Sequence, residues 1–158
     1  MRQRLIATTA LGAVVVFTAT LGTIASSQVQ MPDDEGRDLT VKLCGNECHT
    51  IEKVIAERKS KSQWAETMET MRTDGAAGTD DEFKVIVRYL ATHYGVQVQI
   101  NKATVRQIDD VLVLAEGQAD AIVKYREANG PFADWASLLR VPGLDAKRLE
   151  FQKSKVVF

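Results

Sequence analysis

Cys44 and Cys48 stand four residues apart, and His49 follows the second thiol directly in the run Leu43-Cys44-Gly45-Asn46-Glu47-Cys48-His49. On a helix, residues i and i+4 share a face and i+5 lies one step around it. Thiols in that order can add to the two vinyl groups of a haem while the imidazole coordinates the iron. The usual attachment spacer is two residues, and the extra one here requires the backbone to loosen, for which Gly45 is suited. A Cys44–Cys48 disulfide, a redox dithiol and a zinc site are the alternatives. Zinc needs four ligands, and the two cysteines with His49 and His93 supply that number, but adjacent Cys48-His49 is awkward for a closed tetrahedron. A disulfide leaves His49 without a role, so one covalent haem c, with His49 as proximal iron ligand, is the reading taken forward.

Electron-transfer haems close the sixth iron position with a thioether or a second imidazole. Trp64, Met68 and Met71 recur at i, i+4 and i+7, and the residues alone leave Met71, Met68 and His93 open as the distal metal ligand, with Trp64 beside the cofactor. Both methionines also suit plain core packing, and His93 suits the capping of a helix end.

These residues belong to a chain of 158 residues with a net charge of −1, 45% hydrophobic and 26% charged, which excludes a disordered tail, a collagen-like repeat and a wholly basic nucleic-acid binder. Arg2 and Arg4, an uncharged apolar stretch over 10–21 and the small residues Ala25-Ser26-Ser27 read as a signal peptide over residues 1–27. Its removal leaves a net charge of −3 and places the protein outside the cytoplasm, in the periplasm or an equivalent space, with no stable membrane insertion. A polar linker over 28–36 follows. Apolar spacing then predicts three helical stretches over 37–95: the first carries Leu39, Leu43, both cysteines and Ile51, the second Trp64 and its methionines, the third Phe83 to Tyr94. Thr79 or Asp80 is the expected N-cap of the third and Gly95 its stop. Over 96–158 the pattern predicts a helix capped by Asn101 and running to about Leu114, another from about Gly117 to Ala128, and short helices over 133–139 and 145–155, with turns at Asn129-Gly130 and Pro142-Gly143. The expected fold is all-α in two units of opposite charge, net −4 over 28–95 and net +1 over 96–158.

Cys48-His49-Thr50, Arg58-Lys59-Ser60 with Trp64, Met71 with Gly75-Ala76, and Tyr89-Leu90-Ala91-Thr92-His93-Tyr94-Gly95 resemble the small c-type haem domains of bacterial quinohaemoprotein-type dehydrogenases and free-standing cytochromes c. The resemblance implies a cytochrome c-like helical domain over 37–95 and places Met71 at the position of the distal ligand. The three-residue spacer departs from the family pattern.

Ile100-Asn101-Lys102-Ala103-Thr104, Tyr125-Arg126-Glu127-Ala128-Asn129-Gly130-Pro131-Phe132 and Leu138-Leu139-Arg140-Val141-Pro142-Gly143-Leu144-Asp145 resemble the tandem helix-hairpin-helix domain of ComEA-like competence proteins. DNA-binding members carry two glycines in each hairpin, so that backbone N–H groups approach a phosphate closely. Here Val113 and Ala115 take those positions in the first hairpin, and in the second Gly143 is kept while Asp145 replaces the other glycine. Arg140, Lys147, Arg148, Lys153 and Lys155 give residues 138–158 a local charge of +3 against two acids.

The sequence-level expectation is an exported monohaem electron carrier whose hairpin domain docks a redox partner protein. The alternative is an extracytoplasmic DNA-binding protein with an accessory or vestigial haem domain, contacting nucleic acid through Gly143, Lys147 and Arg148. With no Ser-His-Asp set, phosphate loop or acid pair in view, an enzyme is not expected.

Overall fold

A computed structural model describes residues 30–45 and 48–158; the expected signal peptide lies outside them. The first unit is four helices: α1 (Arg37–Cys44), α2 (Ile51–Ala56), α3 (Lys61–Thr73) and α4 (Asp80–His93). α3 starts at Ser60, whose hydroxyl accepts from Gln63 N–H while the Gln63 side chain accepts from Ser60 N–H. Thr79 and Glu82 repeat the device at α4, where Asp80, Asp81 and Glu82 also face the positive end of the helix dipole. α4 packs on α3 and α1, burying Phe83, Ile86, Tyr89 and Leu90 against Trp64 and Met68. Gly95 follows the α4 cap, but the requirement there is space: a Cβ would lie 2.6 Å from the Ala91 carbonyl oxygen and 2.8 Å from Lys155 Cδ.

The stretch expected as a linker is packed from Met31 onward. Met31 joins the first core, Tyr89 Oη donates to Pro32 O at 2.8 Å, Arg88 pairs with Glu35 at 2.7 Å, and His93 Nε2 meets Asp34 Oδ2 at 2.9 Å.

The second unit holds β1 (Val98–Gln99), α5 (Val105–Val111), α6 (Gln118–Asn129), α7 (Trp135–Leu138), α8 (Ala146–Glu150), a 3-10 turn (Lys153–Lys155) and β2 (Val156–Val157). The two strands pair in parallel, Val98 with Val156 and Gln99 with Val157, tying the chain end to the start of the unit. The mostly helical architecture thus matches the all-α expectation, with this two-residue pair added. Asn101 does not cap α5; Thr104 does, with Gln107 completing the box. Asn101 instead exchanges two 2.8 Å hydrogen bonds with the backbone of Phe132, and Arg126 donates to Ile100 O and Ala103 O, so both hold the entry loop against the α6–α7 turn.

The two units share a junction. Lys61 Nζ pairs with Asp109 at 2.6 Å, and Asp110 accepts from Ser62 N–H at 2.7 Å and from its hydroxyl at 2.9 Å. Val113 packs into the core of the first unit. Lys155, counted in the sequence with the basic residues over 138–158, is buried: its Nζ donates to Ala91 O, Val111 O and Gln152 Oε1 at 2.6 to 2.7 Å. Three acceptors surround this nitrogen, which has three donors as an ammonium and two as a neutral amine.

Candidate functional site

The Cys-His end differs from the expected single helix. α1 stops at Cys44, where Gly45 caps it with its N–H on Val41 O; Asn46 and Glu47 lie outside the described residues, and Cys48 follows the helix rather than lying on it. A Cβ at Gly45 would sit 2.7 Å from Val41 O, so this end closes tightly only with glycine. The thiols are therefore unlike: Cys44 packs against the first core and its burial pushes the thiol up to about 11, whereas Cys48 is exposed. His49 is half-buried, and its Nδ1 is a buried nitrogen without a hydrogen-bond partner among the described residues.

Leu43 approaches Gly78, and Met71 O accepts from Ala76 N–H at 2.9 Å. The α3–α4 loop thus meets the end of α1 that carries Cys44 and the end of α3 that carries half-buried Met71. Met68 lies in the core beside Trp64, whose indole N–H donates to Tyr94 O at 3.4 Å. His93 ends α4, which rises about 20 Å over its length from the Thr79 end. There its side chain is 3% exposed and pairs with Asp34. Burial lowers the His93 pKa against the pull of Asp34, with Lys155 and Arg148 pushing the same way as burial. Among the described residues no three His, Cys, Asp or Glu side chains cluster as a metal site.

The hairpin end is built from two helix pairs. In the first, α5 turns through 112–117 into α6, and Val113 has φ 22°, the left-handed value for which glycine is suited and which a β-branched residue rarely adopts. Ala115 N–H is taken by Gln118 Oε1 at 3.2 Å, and Gln118 Nε2 donates to Gly143 O at 2.7 Å, bringing the two hairpin turns side by side. In the second, Gly143 has φ 82° with nothing within 4 Å of a would-be Cβ. Asp145 caps α8, its carboxylate accepting from Arg148 N–H at 3.0 Å. Arg140, Lys147 and Lys153 are exposed, while half-buried Arg148 lines, with Asp34, Asp145, Lys147 and Phe151, a cavity of about 190 Å³ facing the first unit.

Residues 93–156 match the helix-hairpin-helix motif. This unit is a helix-hairpin-helix domain. The chain is 29% identical over 120 residues to an uncharacterized protein of Haemophilus influenzae, covering 75% of this chain and 95% of that relative. It is 34% identical over 62 residues to ComE operon protein 1 of Bacillus subtilis, which is 39% of this chain and 30% of that relative. No solved structure matches. The family match covers the hairpin domain and stops short of the Cys-His end.

Of the nucleic-acid candidates, the hairpin domain brings Gly143, Lys147 and Arg148 to one turn and the helix after it. Lys155 is withdrawn from the surface. Sequence reasoning missed Ser62, Asp110, Gln118 and Gln152, whose partners lie 25 to 48 residues away and leave no local spacing to read. No described helix is long and apolar enough to cross a membrane.

Proposed function

We propose that this is an extracytoplasmic binding protein whose helix-hairpin-helix domain takes the phosphodiester backbone of DNA at its second hairpin. The observation that carries the reading is the open, left-handed backbone at Gly143, with Arg140, Lys147 and Lys153 exposed around it in the chain. The first hairpin contributes little: Val113 is committed to the first unit and Ala115 N–H to Gln118. Asp145 sets a carboxylate on the phosphate side of α8, so binding is weak and indifferent to sequence. Neutralising about three phosphates gives an affinity that falls with a logarithmic salt slope of roughly −3. Fluorescence anisotropy on a short duplex over a salt series tests this: a salt-dependent rise is expected, and no rise at low salt overturns it. Export rests on the signal-like sequence over 1–27.

One observation favours a second reading, haem binding by the first unit with electron transfer to a redox partner protein. Among the described residues the buried Nδ1 of His49 has no hydrogen-bond partner, and His49 directly follows the exposed Cys48, the order of donors that a covalently attached haem uses. Cys44 and Cys48 would attach it, His49 would coordinate the iron, and Met71 is the better placed distal ligand because His93 is engaged with Asp34 at the other end of α4. When bound, such a group supplies one-electron chemistry. Reduced and oxidised absorbance spectra of protein exported in a host with cytochrome c maturation machinery test it; a colourless product overturns it.

A further inference from the structure

We infer that Asp34, in the segment leading into the first unit, is a fixed counter-charge that restrains phosphate binding at the second hairpin; this rests on the DNA reading and names what limits the affinity there. Residues 31–35 lie along α4, tied by Tyr89 to Pro32 and by Arg88 to Glu35, and bring Asp34 to the cavity that Lys147, Arg148 and Phe151 line from the hairpin domain. Arg148 and Phe151 stand three residues apart on α8 and its helical cap, so they share a face. Phe151 sets its ring edge-on to His93 with 5.7 Å between centroids, which turns that face toward the end of α4 where Asp34 is held.

Both oxygens of the Asp34 carboxylate are engaged. Oδ1 accepts from Glu35 N–H at 2.8 Å, and Oδ2 meets His93 Nε2 at 2.9 Å, on a ring that also packs 4.8 Å from that of Tyr89. Burial raises this carboxyl, but the hydrogen bonds from His93 and Glu35 N–H and the charge of Arg148 outweigh that, so it stays ionised at neutral pH. The Arg148 guanidinium has no hydrogen-bond or ion-pair partner among the described residues, which leaves its donors open to a phosphate. A phosphate drawn to Arg148 and Lys147 therefore meets two carboxylates in one cavity: Asp145 from the hairpin itself and Asp34 from the first unit. Through Asp34, the fold of the first unit sets part of the affinity of the second.

The test is duplex-DNA anisotropy over a salt series on the full chain, comparing wild type with Asp34→Asn and with Asp33→Asn. Both variants change the net charge equally, but Asp33 is exposed, pairs with Arg37 at 3.0 Å and does not line the cavity. Asp34→Asn keeps a side-chain amide for His93 and Glu35 N–H, and Asp34→Ser serves in its place if the asparagine does not fold. Asp34→Asn is expected to bind roughly three- to fivefold tighter than wild type at low salt, with the gain fading as salt screens the carboxylate, and Asp33→Asn to bind as wild type does. Equal binding by wild type and Asp34→Asn, or the same gain from Asp33→Asn, overturns the inference and leaves the DNA reading intact. No binding by any of the proteins at low salt overturns both.

Discussion

Lys155 Nζ, three residues from the end of the chain, donates to the carbonyl oxygen of Ala91 in α4 at 2.7 Å, across 64 residues of sequence. The same nitrogen reaches Val111 O and Gln152 Oε1, so one side chain joins the first unit to the first hairpin and to the chain terminus. Gly95, at the crossing between the units, is the residue small enough to let the lysine stem pass.

Lys155→Met keeps most of the stem and removes the donors. Two buried carbonyls and an amide oxygen lose their partner, at a cost of about 2–4 kcal/mol. Chemical denaturation is expected to show that loss, and limited proteolysis to show new cutting between residues 95 and 98. Unchanged stability would contradict the role given to the junction.

The same lysine makes stability depend on pH. Burial pushes Lys155 down to about 7, against 10.5 for an exposed lysine. Between those values the unfolded chain holds a proton that the folded one has released, so stability rises with pH there, with a slope of up to about 1.4 kcal/mol per pH unit from this group. Below pH 7 both states are protonated and the contribution is at its lowest. Denaturation midpoints from pH 7 to 10 are expected to rise in the wild type and to rise less in Lys155→Met.

Asp110 works at the acid end. Burial raises its carboxyl, but hydrogen bonds from Ser60 and Ser62 outweigh that and leave the pKa below its ordinary value. Its contribution is therefore present above the ordinary aspartate range and is lost as pH falls through the lowered pKa. Asp110→Ala frees the N-terminus of α3 and is expected to cost about 1–2 kcal/mol at neutral pH. The wild-type and variant denaturation curves should converge as pH falls through the lowered Asp110 pKa; a constant gap would contradict the assignment.

Lys147 is exposed on α8 and belongs to the proposed DNA-binding surface. Lys147→Ala is expected to lower the salt slope of duplex binding by about one and to leave thermal stability unchanged. An unchanged slope would remove this lysine from the interface.

Much of the hairpin domain was legible because its signals are local. The turn at Pro142-Gly143 and the α6 boundary at Gly117 rest on the left-handed backbone that glycine allows, and the Asp145 cap on a side chain acting three residues on. Asn101 and Lys155 misled for the opposite reason. Asn101 has the character of a cap but is claimed by Phe132, 31 residues on. Lys155 reads as one of the basic residues over 138–158 because its acceptors come from α4, α5 and Gln152 together. At the Cys-His end, i and i+4 spacing suggested one helix face, and Gly45 instead ended α1 between the thiols.

The most direct measurement is duplex-DNA anisotropy on the wild type beside Asp145→Gly, at low and at physiological salt. The substitution removes the carboxylate from the N-terminus of α8, frees Arg148 N–H and restores the second glycine of the hairpin. The proposed function predicts weak, salt-sensitive binding by the wild type and roughly tenfold tighter binding by Asp145→Gly, a gain of about 1.4 kcal/mol. No binding by either protein at low salt would contradict a DNA-binding second hairpin.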